Sequence, residues 1–226
     1  MPVTTCVFDA YGTLFDVAAA ARLAAEQPEF PALAKAWPQL AEHWRAKQLN
    51  YSWLRAVMGT HTDFWTVTQD ALDWSLAKTG LDGDPALRQR LLDLYWELQA
   101  YAEVPAMLKT LKDAGLNTAI LSNGSPAMLD GAVQSAGIGD VLDDCLSVES
   151  VGIFKPDPRV YDLVAARFGC ANTAVLFVSS NGWDAAAAAH YGFRTAWVNR
   201  DPVDRLPATP DTILTDLTGI PALAGV

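Results

Sequence analysis

The chain predicts an α/β fold: a parallel β-sheet flanked by helices, with an all-helical segment inserted after the first strand. Three observations predict it. From residue 101 onward, short apolar runs, polar loops and helix-forming stretches alternate, the pattern of parallel strands joined by crossover helices. The first apolar run, Val7-Phe8, ends on Asp9 and a Gly-containing turn; a buried strand delivers a side chain to the ligand-binding edge of an open sheet in this way. Between residues 17 and 99 no strand pattern occurs. The expected organisation is a core from residues 1–16 and 100–226 and a helical insertion over residues 17–99.

Taken in order, Val3 to Phe8 reads as the first strand. The Ala-rich stretch from Val17 to Glu26 is a strong helix former, and Leu40 to Tyr51 continues in the same style. Further helices are expected over Asp63 to Thr79 and Pro85 to Leu98, the latter with Asp84 as N-cap and Pro85 at its first position. Phe30, Trp37, Trp44, Trp53, Phe64, Trp65, Trp74 and Trp96 fall in this region and suit either a core or an apolar lid. A helix from Pro105 to Ala114 stops at Gly115. Asn117 to Leu121 is a buried strand, followed by Ser122-Asn-Gly-Ser-Pro126 and a helix to Ala136. Asp144 to Val148 is a weaker strand and Pro158 to Phe168 a helix. Ala174 to Val178 is a strand that ends in the polar run Ser179 to Asp184. A helix from Asp184 to Tyr191 leads to a last strand, Arg194 to Val198. Because the polar clusters all follow strands, they are expected on one sheet edge with Asp9.

The bulk numbers narrow the function. The 226 residues are 51% hydrophobic and 19% charged, a soluble globular composition with ample material for a core. A net charge of -10 argues against nucleic acid, whose phosphates repel an acidic chain. Cys6, Cys145 and Cys170 are odd in number and widely spaced, which reads as reduced thiols in a cytoplasmic protein. His43, His61 and His190 are scattered, so no metal-ligand cluster is expected. No secretory leader or membrane-spanning apolar run is read.

Four groups share the predicted edge: Asp9 with Tyr11 and Thr13; Ser122 and Asn123; Lys155, before Pro156; and Ser179, Asn181 and Asp184. From residue chemistry alone, Asp9 reads as a metal ligand, a nucleophile or a turn cap. Asp184 reads equally as a helix cap, Ser122 and Asn123 as turn formers, and Arg45 as a helix arginine with its head in water. The order of the four groups resembles the haloacid dehalogenase superfamily over nearly the whole chain. Two departures separate it from the phosphatases of that superfamily. Tyr11 stands where they carry a second acid, and Ser180 where they commonly carry the first acid of a late pair. Mg²⁺ wants several hard oxygen ligands, and phosphoryl transfer needs charge neutralisation and a proton for the leaving group. A halide needs no proton to leave. The segments Asp9-Ala-Tyr-Gly-Thr-Leu-Phe-Asp16, Leu121-Ser-Asn-Gly-Ser-Pro126, Lys155-Pro156, Phe177-Val-Ser-Ser-Asn-Gly-Trp-Asp184 and Trp44-Arg-Ala-Lys-Gln-Leu-Asn-Tyr-Ser-Trp-Leu-Arg55 resemble the (S)-2-haloacid dehalogenases in particular; Gly182 stands where Ala is usual.

The resemblance implies a Rossmann-like core with a helical cap over residues 17–99. It implies hydrolysis of short (S)-2-haloacids to (R)-2-hydroxyacids without metal or other cofactor, with fluoroacetate a further candidate substrate. A phosphatase or a non-catalytic binding protein on the same fold is the alternative. Asp9 is the implied nucleophile, forming an ester that water then cleaves. Thr13 and Lys155 are expected to hold it, and Arg45 and Asn123 to meet the halide. Ser122, with backbone N–H groups near Tyr11 and Gly12, is expected to hold the substrate carboxylate. Ser179, Asn181 and Asp184 are expected to orient Lys155 and the hydrolytic water, and Tyr161 matches a functional tyrosine. Tyr11, Leu49, Phe64 and Trp183 are expected to wall the alkyl group. The resemblance also implies a homodimer, with the haloacid and the halide as the small-molecule partners.

Overall fold

The computed structural model describes residues 1–200 and 205–226. Among them, six parallel strands form one sheet in the order β3-β2-β1-β4-β5-β6. The strands are β1 (Thr5–Phe8), β2 (Asn117–Ser122), β3 (Asp144–Ser147), β4 (Val175–Ser179), β5 (Arg194–Val198) and β6 (Thr212–Leu214). β1 lies at the centre, and every residue of β1 and β4 is buried. This is why those segments are apolar throughout instead of alternating. The register sets Phe8 beside both Ile120 and Val178. Asp9 and Ser179, the next residues along β1 and β4, and Ser122, two positions past Ile120 at the end of β2, therefore emerge together at the C-terminal edge.

Among the described residues, the helices that accompany the sheet are α5 (Val104–Asp113), α6 (Pro126–Ala136), α7 (Pro158–Phe168), α8 (Gly182–Tyr191) and α9 (Ile220–Ala224). Between β1 and β2 come α1 (Ala19–Ala25), α2 (Leu33–Met58), α3 (Phe64–Thr79) and α4 (Pro85–Trp96). Asp63 caps α3 by accepting from Thr66 N at 3.0 Å. Asp84 caps α4 by accepting from Ala86 N and Leu87 N, both at 3.0 Å, with Pro85 at the first helical position, where its missing N–H is no loss.

Three features differ from the sequence reading. First, α2 begins at Leu33, runs through Pro38 and ends at Gly59, which adopts φ +66°. Pro38 forfeits one helical hydrogen bond, but burial of Leu33, Leu40 and Trp44 on the same helix offsets it. Second, β6 and α9 were not expected from the sequence. β6 is three half-buried or exposed residues at the sheet edge, too short for a pattern to register. Third, the aromatics between residues 30 and 96 do not share one role. Trp44 and Phe64 are buried, whereas Trp74 is 37% exposed with His43 edge-on to it. No helix among the described residues is long and apolar enough to cross a membrane, and Cys6, Cys145 and Cys170 are free thiols.

Candidate active site

The site grows from the Asp9 carboxylate, 5% exposed where β1 gives out. Asp9 N donates to Val178 O at 2.9 Å, which locks the turn to β4. Both carboxylate oxygens are engaged. Oδ2 accepts from Thr13 Oγ1 at 2.9 Å and from Asn181 Nδ2 at 2.6 Å. Oδ1 accepts from Lys155 Nζ at the longer distance of 3.3 Å. Oδ1 is therefore the less committed oxygen.

Lys155 is completely buried. Its Nζ also donates to Leu121 O and to Asp184 Oδ2, each at 2.7 Å. A buried ammonium is tolerated only with such full pairing. The segment carrying it is pinned by Asn123, whose Oδ1 accepts from Lys155 N at 2.9 Å, and a cis bond links Lys155 to Pro156. Asp184 lies in the first turn of α8, but Asn181 is the N-cap residue of that helix. The Asp184 carboxylate instead takes Lys155 on one oxygen and, on the other, the Tyr161 hydroxyl at 2.7 Å. Burial pushes the Asp184 carboxyl above the ordinary carboxylate range, against the pull of Lys155, and the nearby Asp9 charge adds to the rise. Burial likewise holds the Tyr161 phenol well above its usual value, so that it stays a donor to Asp184.

A second bridge ties the helical segment to the sheet edge. Arg45 on α2 donates to Asn181 Oδ1 at 3.0 Å and to Tyr11 O at 3.2 Å. It also donates to Gln48 Oε1 at 2.8 Å. These three partners are all neutral, so none of them cancels the guanidinium charge. Next to this bridge stands an aromatic wall. Tyr11 stacks on Tyr95 with 5.6 Å between centroids and lies 6.1 Å from Phe64. Gly124 makes room for it: a Cβ there would fall 2.8 Å from a Tyr11 ring carbon. Trp183, at the start of α8, packs edge-on against Trp53 of α2 at 5.5 Å, and Leu49 lies half-buried on α2.

Other residues singled out from sequence have local partners. Ser122 Oγ accepts from Gly124 N at 3.0 Å. Ser179 Oγ accepts from Asn181 N at 3.1 Å. Gly12 sits at φ +88° and spends its N–H on Phe15 O at 2.8 Å, closing the turn after β1. Three contributors were missed. Ser180 donates to Gly12 O, and its N–H donates to Thr13 Oγ1 at 2.8 Å, so the residue read only as a lost acid fastens the Asp9 turn. Tyr95 backs Tyr11. Gln48 holds Arg45 from one helical turn away, and that three-residue spacing was the available signal.

Comparison with known proteins agrees with this constellation. The family model described as haloacid dehalogenase-like hydrolase matches residues 3–192. The chain is 45% identical over 199 residues to (S)-2-haloacid dehalogenase 1 of Pseudomonas sp. (strain CBS-3), covering 88% of this chain and 86% of that one. It is 43% identical over 215 residues to the (S)-2-haloacid dehalogenase of Pseudomonas sp. (strain YL), covering 94% and 90%. Among solved structures, the L-2-haloacid dehalogenase from Xanthobacter autotrophicus with chloropropionic acid covalently bound superimposes with a TM-score of 0.88 at 35% identity, covering 99% of this chain and 98% of that one. An identity this high over nearly full length, around a buried Asp–Lys–Asp core faced by an arginine, shows that the chain belongs to the haloacid dehalogenase-like hydrolases and, within them, to the (S)-2-haloacid dehalogenase family.

Proposed function

We propose that the protein hydrolyses short (S)-2-haloacids to (R)-2-hydroxyacids and halide through an ester on Asp9, with no metal. The observation that carries this reading is the Asp9 carboxylate, fixed by Thr13, Asn181 and Lys155 while Arg45, held by neutral partners, waits one residue away on Asn181. The less engaged Oδ1 attacks C2 of the substrate in line with the carbon–halogen bond. The bond pair leaves with the halide, C2 inverts, and the charge lost from Asp9 appears on the departing ion beside Arg45. Fixing both reactants in attack geometry supplies about 7–11 kcal/mol of the barrier. Water then adds to the Asp9 ester carbonyl and the alkoxy group leaves as the 2-hydroxyacid. The water's oxygen stays on Asp9, while one proton goes to the product and the other to solvent. Ser122 holds the substrate carboxylate and Asn123 supports the halide side. Tyr11, Leu49, Phe64 and Trp183 keep water from the reacting bond, which strengthens polar contacts to the leaving ion. Residues 17–99 act as the cap that completes the pocket.

The donor set opposes the Mg²⁺-dependent alternative. Each Asp9 oxygen already accepts from a nitrogen donor, Asp184 is occupied by Lys155 and Tyr161, and Tyr11 and Ser180 offer no further carboxylate. We read the working form as a cytoplasmic homodimer: the odd, widely spaced cysteines fit a reducing compartment, and the dimer is what the sequence resemblance implies. The test is halide release from (S)- and (R)-2-chloropropionate, with and without chelator, and from fluoroacetate with a fluoride electrode. Chloride from the (S)-enantiomer alone, unchanged by chelator, is expected. Phosphate-ester hydrolysis that requires Mg²⁺, without halide release, would overturn the proposal. Equal inertness of wild type and Asp9→Asn toward every haloacid would favour a binding protein.

A further inference from the structure

The residues that position Arg45 form a relay that the reaction itself does not use. Gln48 is 1% exposed. Its Oε1 accepts from Arg45 Nη1 at 2.8 Å, while its Nε2 donates to Thr68 Oγ1 at 2.7 Å and to Tyr95 Oη at 3.0 Å. The direction of this amide is fixed by Thr68. The single hydroxyl proton of Thr68 is committed to Phe64 O, one turn back in α3, at 2.7 Å. Thr68 Oγ1 can then only accept from Gln48. Nε2 must face it, and Oε1 must face Arg45. The relay runs from the α3 backbone through Thr68 and Gln48 to the guanidinium, and Trp44 Nε1 fastens the same turn by donating to Thr68 O at 2.9 Å.

Resting on the dehalogenase reading above, we propose that Gln48 is a positioning residue that sets the orientation of Arg45 and, through it, how strongly the site holds the departing halide. Arg45 makes three contacts, which account for at most three of its five N–H donors. The rest are left for an anion. A neutral amide oxygen at this point aims the guanidinium without neutralising it. A carboxylate there would pair with the charge, and an apolar side chain would release the head group to rotate. Gln48 touches neither substrate nor Asp9, and its influence passes through Arg45.

Three variants test this: Gln48→Met, which keeps the volume and removes the amide; Gln48→Glu, which keeps the shape and adds charge; and Thr68→Val, which removes only the hydroxyl that orients the amide. Two readouts are taken on each, with fold monitored by circular dichroism. One is bromide affinity from tryptophan fluorescence, which needs no turnover. The other is single-turnover halide release from (S)-2-chloro- and (S)-2-bromopropionate. Loss of one hydrogen bond to a charged group corresponds to about ten- to a hundredfold. Bromide affinity and single-turnover rate should fall by that order in Gln48→Met and further in Gln48→Glu, with chloride release hit harder than bromide and KM little changed. Thr68→Val should reproduce the same leaving-group bias in milder form, and it decides the matter if a Gln48 variant does not fold. Wild-type bromide affinity together with an unchanged chloride-to-bromide rate ratio in folded variants would overturn the proposal. A wild-type enzyme that releases no halide while bromide binding still weakens in the variants would instead overturn the dehalogenase reading and leave Gln48's role standing.

Discussion

Replacing Lys155 with methionine removes the cation that the buried carboxylates of Asp9 and Asp184 share. Its Nζ lies 3.3 Å from Asp9 and 2.7 Å from Asp184, and the three side chains are between 0% and 7% exposed. At an effective dielectric of about 20, two unit charges 3.3 Å apart attract by about 5 kcal/mol. Desolvation of the ammonium consumes part of that, and breaking such a pair costs about 3–5 kcal/mol because the stranded charge remains buried. The pH dependence carries a definite sign. Burial already raises Asp184 and Lys155 lowers it, so removing Lys155 leaves burial opposed by the Tyr161 hydroxyl but not by a cation, and moves the folded-state value higher still. A group whose folded pKa exceeds its unfolded value, near 3.9, binds more protons in the native state. Its stabilising contribution is full below that unfolded value and is lost as pH rises through the folded one. Urea unfolding of Lys155→Met should therefore show a deficit that is larger at pH 8 than at pH 5. Halide release should drop by at least about a hundredfold, since the Asp9 carboxylate loses its fixed position. A variant within 1 kcal/mol of wild type at both pH values, on the order of experimental error, would refute the reasoning.

Two further outcomes follow from single contacts. Gly124→Ala sets a Cβ 2.8 Å from the Tyr11 ring, so Tyr11 must move; thermal unfolding should report a loss of about 1–3 kcal/mol, and KM for 2-chloropropionate should rise more than kcat falls. Unchanged stability and KM would mean that the Tyr11 wall is not part of the site. Tyr161→Phe deletes the 2.7 Å donor to Asp184, one of the influences that lower that carboxyl. The acid limb of the kcat profile should shift upward in pH, with activity recovering at alkaline pH. A uniform loss at all pH values would argue that Tyr161 acts otherwise.

Much of the core was legible because local chemistry determines it. Each of the segments β1, β2 and β4 is an apolar run that ends in polar residues, and parallel pairing then carries Asp9, Ser122 and Ser179 to one edge without further information. Asp184 was ambiguous from sequence because a helix-start aspartate usually caps. Only the fold, by bringing Lys155 and Tyr161 to it, separates the two readings. Contacts across long sequence distances were illegible for the same reason. Ser180 reaches Gly12 and Thr13 from 168 and 167 residues away, and nothing in Ser179-Ser180-Asn181 marks which serine does so. Gln48 was closer to hand, yet its meaning depends on Thr68 and Tyr95 from two other helices. The start of α2 was misplaced because Pro38 normally argues against a helix, and burial of Leu33 and Leu40 on either side of it overrides that preference.

The covalent step on Asp9 is the centre of this account, and isotope labelling reads it directly. Under single turnover of (S)-2-chloropropionate with excess enzyme in heavy-oxygen water, the first 2-hydroxypropionate should carry no label, while mass spectrometry of the peptide containing Asp9 should show one heavy oxygen. Label entering the product in that first turnover, with Asp9 unlabelled, would mean that water attacks carbon directly and that Asp9 is not the nucleophile.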